Sequence, residues 1–136
     1  MIKPICRDTM LLSQKAAPAT PADAQVIADL ADTLRAHLDG CVGMAANMIG
    51  VPKRIIVIAL GAMILTMVNP VILDKKDPYP AEEGCLSLAG VRRTKRYQTI
   101  TVSWQDERFI PHRMTYEGFA AQIIQHEMDH LEGILI

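Results

Sequence analysis

The chain closes on Gln125-His126-Glu127-Met128-Asp129-His130-Leu131-Glu132-Gly133-Ile134-Leu135-Ile136, and this stretch decides how the rest is read. With Phe119 and Ile123 just upstream, His126 and His130 fall on one line at helical spacing, which predicts a helix from about Phe119. The two His are four residues apart, roughly 400° of rotation, so they leave the helix on one face. Neutral imidazoles so placed can reach one metal ion, and Glu127 beside them can reach a water activated there. The same H-E-x-x-H pattern also fits a surface helix with a chance pair of His, or a peptidase that cuts internal amide bonds. Met128 and Leu131 add apolar surface, so the helix is expected to be mostly buried, and buried imidazoles need partners. Neither Cys nor His follows His130, so a third strong ligand has to come from upstream.

Glu82-Glu83-Gly84-Cys85-Leu86-Ser87 offers that ligand. Gly84 permits an unusual backbone path beside Cys85, whose thiolate would complete a Cys/His/His set with one position left open. Cys41 and Cys6 compete for the role, and His112 is a weaker candidate, expected at the surface.

The 136 residues fit one domain, 1–136, with a real core; half are hydrophobic and 21% charged, a globular balance. A net charge of −1 and the lack of any long basic run argue against nucleic acid as a partner. The apolar run 55–68, broken by Gly61 and followed by Asn69-Pro70, is too short to span a bilayer, so no membrane is expected. Met1 to Met10 lacks a long apolar run, so no export signal is expected. With an odd count of three Cys, this favours free thiols in a cytoplasmic protein.

Met1 to Ala19 shows no clear period and is expected to lie as an extended arm on the domain. Thr20, Pro21 and Asp23 form a capping-box-like start, and Val26, Ile27, Leu30, Leu34 and Leu38 give a helical stripe ended by Gly40. His37 in its last turn suits the helix dipole and is read as structural. The small residues of 41–50 suit either a tight turn with a short helix or a backbone passing close to a ligand. Arg54–Leu60 and Met63–Asn69 are strand-like, with Gly61-Ala62 as a hairpin turn. Pro70 is expected to stop the second strand, and the polar LDKKDPYP segment to be a loop. Gln98–Trp104 alternates as a strand, and 108–115 looks like its partner, confined by Pro111 to an edge.

Taken together, Glu83-Gly84-Cys85-Leu86-Ser87, Gln125-His126-Glu127-Met128-Asp129-His130 and the stretches NPVI, RYQTITV and GFAAQIIQHEMDHLEGILI resemble peptide deformylase, which removes the formyl group from new bacterial proteins. The resemblance implies an α+β fold of short antiparallel β-sheets around a C-terminal metal-binding helix, with one N-terminal helix packed outside. It implies Cys85, His126 and His130 as ligands of Fe²⁺, with Zn²⁺ or Ni²⁺ able to substitute. Glu127 would be the general base and acid, and the Leu86 N–H an oxyanion donor. A formyl-methionyl peptide of a nascent chain would run along Val42, Gly43 and Gly84, its side chain in an apolar pocket near Ile123. Asp129 and Glu83 would orient the His and pair with Arg96.

A third family motif, G-x-G-x-A-A-x-Q, departs at two positions: Cys41 stands for its first Gly and Met48 for its Gln. The family Gln helps hold the oxyanion, and a thioether cannot donate a hydrogen bond. A weakly active or inactive relative that binds metal or formyl-peptide is therefore the alternative. Ala89 replaces a frequent Pro, and with so few residues after the metal helix, the extension with which some members dock on the ribosome is not expected.

Overall fold

A computed structural model describes residues 1–136. The strands are β1 (Gly43–Ala45), β2 (Ile55–Leu60), β3 (Met63–Cys85), β4 (Leu88–Gln105) and β5 (Pro111–Glu117). They form one antiparallel sheet in the order of the chain, each strand pairing with the next. Around it lie α1 (Thr9–Leu12), α2 (Ala24–Ala36) and α3 (Gly118–Leu131). The α+β class and the placing of the helices are as expected. The strands are not all short, however.

The β2 segment IIVIAL explains the layering. Successive side chains of a strand point to opposite faces. Ile56 and Ile58 join the core under α3, with Met67, Ile100 and Ile124. Ile55 and Val57 join a second core under α2, with Leu30 and Leu34. Both faces of β2 are thus covered, which is why it reads as a continuous apolar run. Gly61 has φ of +61°, the left-handed value that its place in the β2–β3 turn requires.

Two expectations are corrected. Pro70 does not stop β3, and LDKKDPYP is not a loop: β3 continues to Cys85, paired from Val68 onward with a β4 that starts at Leu88 rather than Gln98. A register shift between Val68 and Val71 absorbs Pro70. Beyond Val68 the strand no longer pairs with β2, so it has a free edge on which Pro78 and Pro80 are tolerated. Residues 73 to 78 are exposed on both faces, so no apolar alternation marks them as strand.

The second helix follows its predicted start, with the Asp23 carboxylate accepting from the Thr20 N–H at 2.8 Å, but a 3-10 turn spans Pro21–Asp23 before α2. It stops at Ala36, four residues before Gly40. There the His37 ring bonds the Thr33 carbonyl at 2.8 Å, satisfying a helix-end acceptor. The N-terminal arm lies on the domain as read, with one helical turn in it. Cys6 N–H donates to Met48 O at 2.7 Å, and Ala16 N–H to Leu131 O at 2.8 Å.

Candidate active site

Three elements meet at the site. The β3–β4 hairpin carries Cys85 at the end of β3 and turns through Leu86-Ser87. The helix α3 carries His126, Glu127 and His130, all buried. The edge strand β1 carries Gly43. Gln125 fixes the helix against β4: its side-chain amide both accepts from the Tyr97 N–H and donates to the Tyr97 carbonyl, each at 2.8 Å. Asn47, in the turn after β1, donates to the His130 carbonyl at 2.6 Å.

Cys85 Sγ and one ring nitrogen each of His126 and His130 lie within 4.8 Å of one another. The two Nε2 atoms are 3.1 Å apart, and Cys85 Sγ is 3.4 Å from His130 Nε2. A tetrahedral ion with Zn–N bonds of about 2.0 Å and a Zn–S bond of about 2.3 Å would space such donors by roughly 3.3 and 3.5 Å. The donor set and spacing therefore fit a divalent transition metal with an open fourth position. The competing ligands stand outside this cluster. His112 on β5 bonds the Asp106 carboxylate at 2.8 Å and stacks on Trp104. Cys6 lies on the N-terminal arm, and the Cys41 thiol donates to the Gly43 carbonyl at 3.0 Å. Burial pushes the Cys41 thiol up to about 11, and the charges of Glu127 and Cys85 act in the same sense.

Behind the His lies a closed polar cluster. Glu83 accepts from His126 Nδ1 at 2.7 Å, from Arg96 at 2.7 Å and from Gln122 at 2.9 Å. Arg96 also donates to Asp129 at 2.7 Å. The expected pairing of Glu83 and Asp129 through Arg96 is thus present. Burial pushes the Glu83 carboxyl up, yet these hydrogen bonds outweigh it and hold it at about 2. A carboxylate on Nδ1 leaves Nε2 of His126 to face the ligand position. Burial, then the charge on His126, pushes His130 down to about 3, so its ring is a free base suited to ligation. For His126, burial pushes the other way from Cys85, Glu83 and Glu127, which together raise it, so proton and metal compete for its Nε2.

The opposite side is open. A cavity of about 500 Å³ is bordered by β1, the β3–β4 turn and α3. Glu127, 4% exposed, lines it, and its Oε1 has no hydrogen-bond partner. Burial pushes the Glu127 carboxyl up to about 7, with His126 pulling it down and Glu83 adding repulsion. A carboxyl near neutrality can both take and give a proton. Gly43 is required here: a Cβ on it would lie 2.7 Å from Ile123 Cγ2 and 2.9 Å from Glu127 Oε2. Val42, Gly84, Leu86 and Ile123 also line the cavity, so the residues expected to contact substrate are brought together. Met48 lines it too, but its sulfur accepts from the Ala45 N–H at 3.5 Å. Sequence reasoning missed Gln122, although its place one turn before His126 was the available signal.

Comparison with known proteins bears on these groups. A sequence model of the polypeptide deformylase family matches residues 2–136. The chain is 59% identical over 136 residues to a peptide deformylase of Clostridium beijerinckii, covering all of both chains. It is 36% identical to the peptide deformylase of Caldanaerobacter subterraneus over 92% of this chain and 80% of that one. Among solved structures, the peptide deformylase of Thermotoga maritima superposes with a TM-score of 0.89 at 33% identity, over 99% of this chain and 95% of that one. An Acinetobacter baumannii peptide deformylase bound to Met-Ala-Ser gives 0.89 at 28% identity, over 99% and 97%.

Proposed function

The chain belongs to the polypeptide deformylase family and is a metal-dependent hydrolase that removes the N-formyl group from nascent peptides; we propose that Cys85, His126 and His130 hold its ion and that Glu127 moves the proton. The observation that carries this assignment is the convergence of one sulfur and two imidazole nitrogens within 4.8 Å, beside a buried carboxyl with a free oxygen. When bound, a divalent ion supplies Lewis acidity, lowering the pKa of water and offsetting negative charge on the carbonyl oxygen. By family resemblance the cellular ion is Fe²⁺, with Zn²⁺ or Ni²⁺ able to serve.

The chain's own residues do the rest. The β1 strand pairs only with β2, leaving a free edge at the cavity along which an extended peptide can lie beside Val42 and Gly43, with Gly84 opposite. The first side chain of a formyl-methionyl peptide enters the cavity against Ile123. Glu127 takes a proton from the water that attacks the formyl carbon and delivers it to the departing amine nitrogen. The C–N bond breaks, giving formate and a free N-terminus. The Leu86 N–H donates to the oxyanion. Met48, its sulfur acting as an acceptor, contributes no donor there. This favours a second reading, a deformylase of reduced rate.

Nascent chains bearing formyl-methionine, in the cytoplasm, are the proposed substrates; no helix of the chain is long and apolar enough to cross a membrane. The test is formate release from formyl-Met-Ala-Ser by protein loaded anaerobically with Fe²⁺. Turnover is expected in the parent, with loss of both metal and turnover in Cys85→Ala. Metal uptake undiminished in Cys85→Ala would refute the ligand set.

A further inference from the structure

Gln122 joins the wall of the cavity to the polar cluster behind it. It precedes His126 by four residues and projects from the same face of α3. Its Nε2 donates to Glu83 Oε2 at 2.9 Å, and its Oε1 accepts from the Tyr79 hydroxyl at 3.3 Å. The other Glu83 oxygen accepts from His126 Nδ1 at 2.7 Å. A hydrogen-bonded line thus runs from Tyr79 on β3 through Gln122 and Glu83 to an imidazole of the ligand set. A side-chain amide has two N–H donors, and only one of Gln122's meets a protein acceptor. The side chain borders the cavity next to Ile123 and Phe119.

We propose that Gln122 is a positioning and specificity-determining residue, holding Glu83 on His126 while its second N–H makes one wall of the side-chain pocket polar. This rests on the deformylase reading. The pocket then discriminates by chemistry as well as shape. A hydrocarbon chain seated against an amide N–H strips it of water and returns nothing, whereas a thioether sulfur is a weak acceptor. An unbranched side chain carrying sulfur is therefore favoured over norleucine, in which CH₂ replaces the sulfur at the same length. The amide is held from both ends, so it cannot turn away to accommodate the hydrocarbon.

The test compares Met-Ala-Ser with norleucyl-Ala-Ser by titration calorimetry, and their formylated forms by formate release, on metal-loaded protein. The parent is expected to favour the methionyl peptide about three- to tenfold in both measurements. Gln122→Met keeps an unbranched side chain but has no donor; it should bring both ratios to about one and lower kcat about tenfold through Glu83. Tyr79→Phe, outside the cavity, should lower kcat in the same sense but leave the ratios alone. The visible spectrum of the Co²⁺-loaded protein should shift in both variants, because His126 is held less firmly. A parent ratio of one, or a ratio that survives Gln122→Met, overturns the specificity role. An unshifted spectrum overturns the positioning role, and Tyr79→Phe supplies that reading should Gln122→Met fail to fold. A parent that neither binds nor cleaves these peptides refutes the deformylase reading itself, and the spectra still decide the positioning role.

Discussion

The two sides of the His126–His130 turn are built on opposite terms. On the Glu83 side, every charge of the Glu83–Arg96–Asp129–His126 cluster has a partner at 2.7 Å. On the cavity side, Glu127 keeps one oxygen without a partner, Met48 stands where a donor would serve, and the Cys41 thiol turns back onto the Gly43 carbonyl. Burial acts on both carboxyls, but only the first has hydrogen bonds that outweigh it, so Glu83 is held at about 2 while Glu127 rises to about 7. The paired carboxylate can only position a ligand. The unpaired one can carry a proton.

Glu127→Ala should break the comparison hardest. Formate release is expected to fall by about 10²–10⁴-fold while metal content, measured on the same sample, stays unchanged. Equal loss of metal would place Glu127 among the holding residues instead. Arg96→Met tests the other side. Removing one partner of a buried ion pair costs on the order of 3–5 kcal/mol, so a large drop in the chemical-denaturation midpoint is expected. A stability within about 1 kcal/mol of the parent would mean the cluster is not the structural half of the site.

Gly43→Ala should come next. Its Cβ must displace Ile123 or Glu127, costing about 1–3 kcal/mol by overpacking, with activity falling more than stability accounts for. A variant with the parent's turnover would show that Glu127 tolerates movement. Met48→Gln is expected to have the smallest effect and the opposite sign, raising kcat at unchanged KM by less than the roughly 10²–10³-fold that one oxyanion donor can supply. No gain in kcat would mean that the missing donor does not limit the rate.

The residues proposed to carry the chemistry were legible because their spacing is local. Four residues on a helix set His126 and His130 on one face, and the Glu127 side chain follows from its neighbours. Cys85 was legible through its motif, but only the hairpin end, packed against α3, separates it from Cys41, which borders the same cavity. The β3–β4 hairpin was less legible. Its outer half is polar and proline-bearing because nothing covers it, and what makes it strand is backbone pairing with a segment of equally plain pattern. The helix end at Ala36 was missed for a related reason: the apolar stripe runs on to Leu38, but Leu38 is exposed, and the His37 ring takes up a helix-end carbonyl.

By itself, the sequence determined the α+β class, the start of α2, the placing of His126 and His130 on one face of α3 and the loss of an amide at Met48. These follow from periodicity and side-chain chemistry, which act over a few neighbouring residues. Tertiary structure alone decided that β3 and β4 run on as one long hairpin, that α2 stops at Ala36, how far the Glu83 and Glu127 carboxyls are driven apart, and that Gln122 links the pocket to His126. Those depend on burial and on contacts between residues far apart in the chain, where the same side chain becomes a ligand, a brace or a base according to what surrounds it.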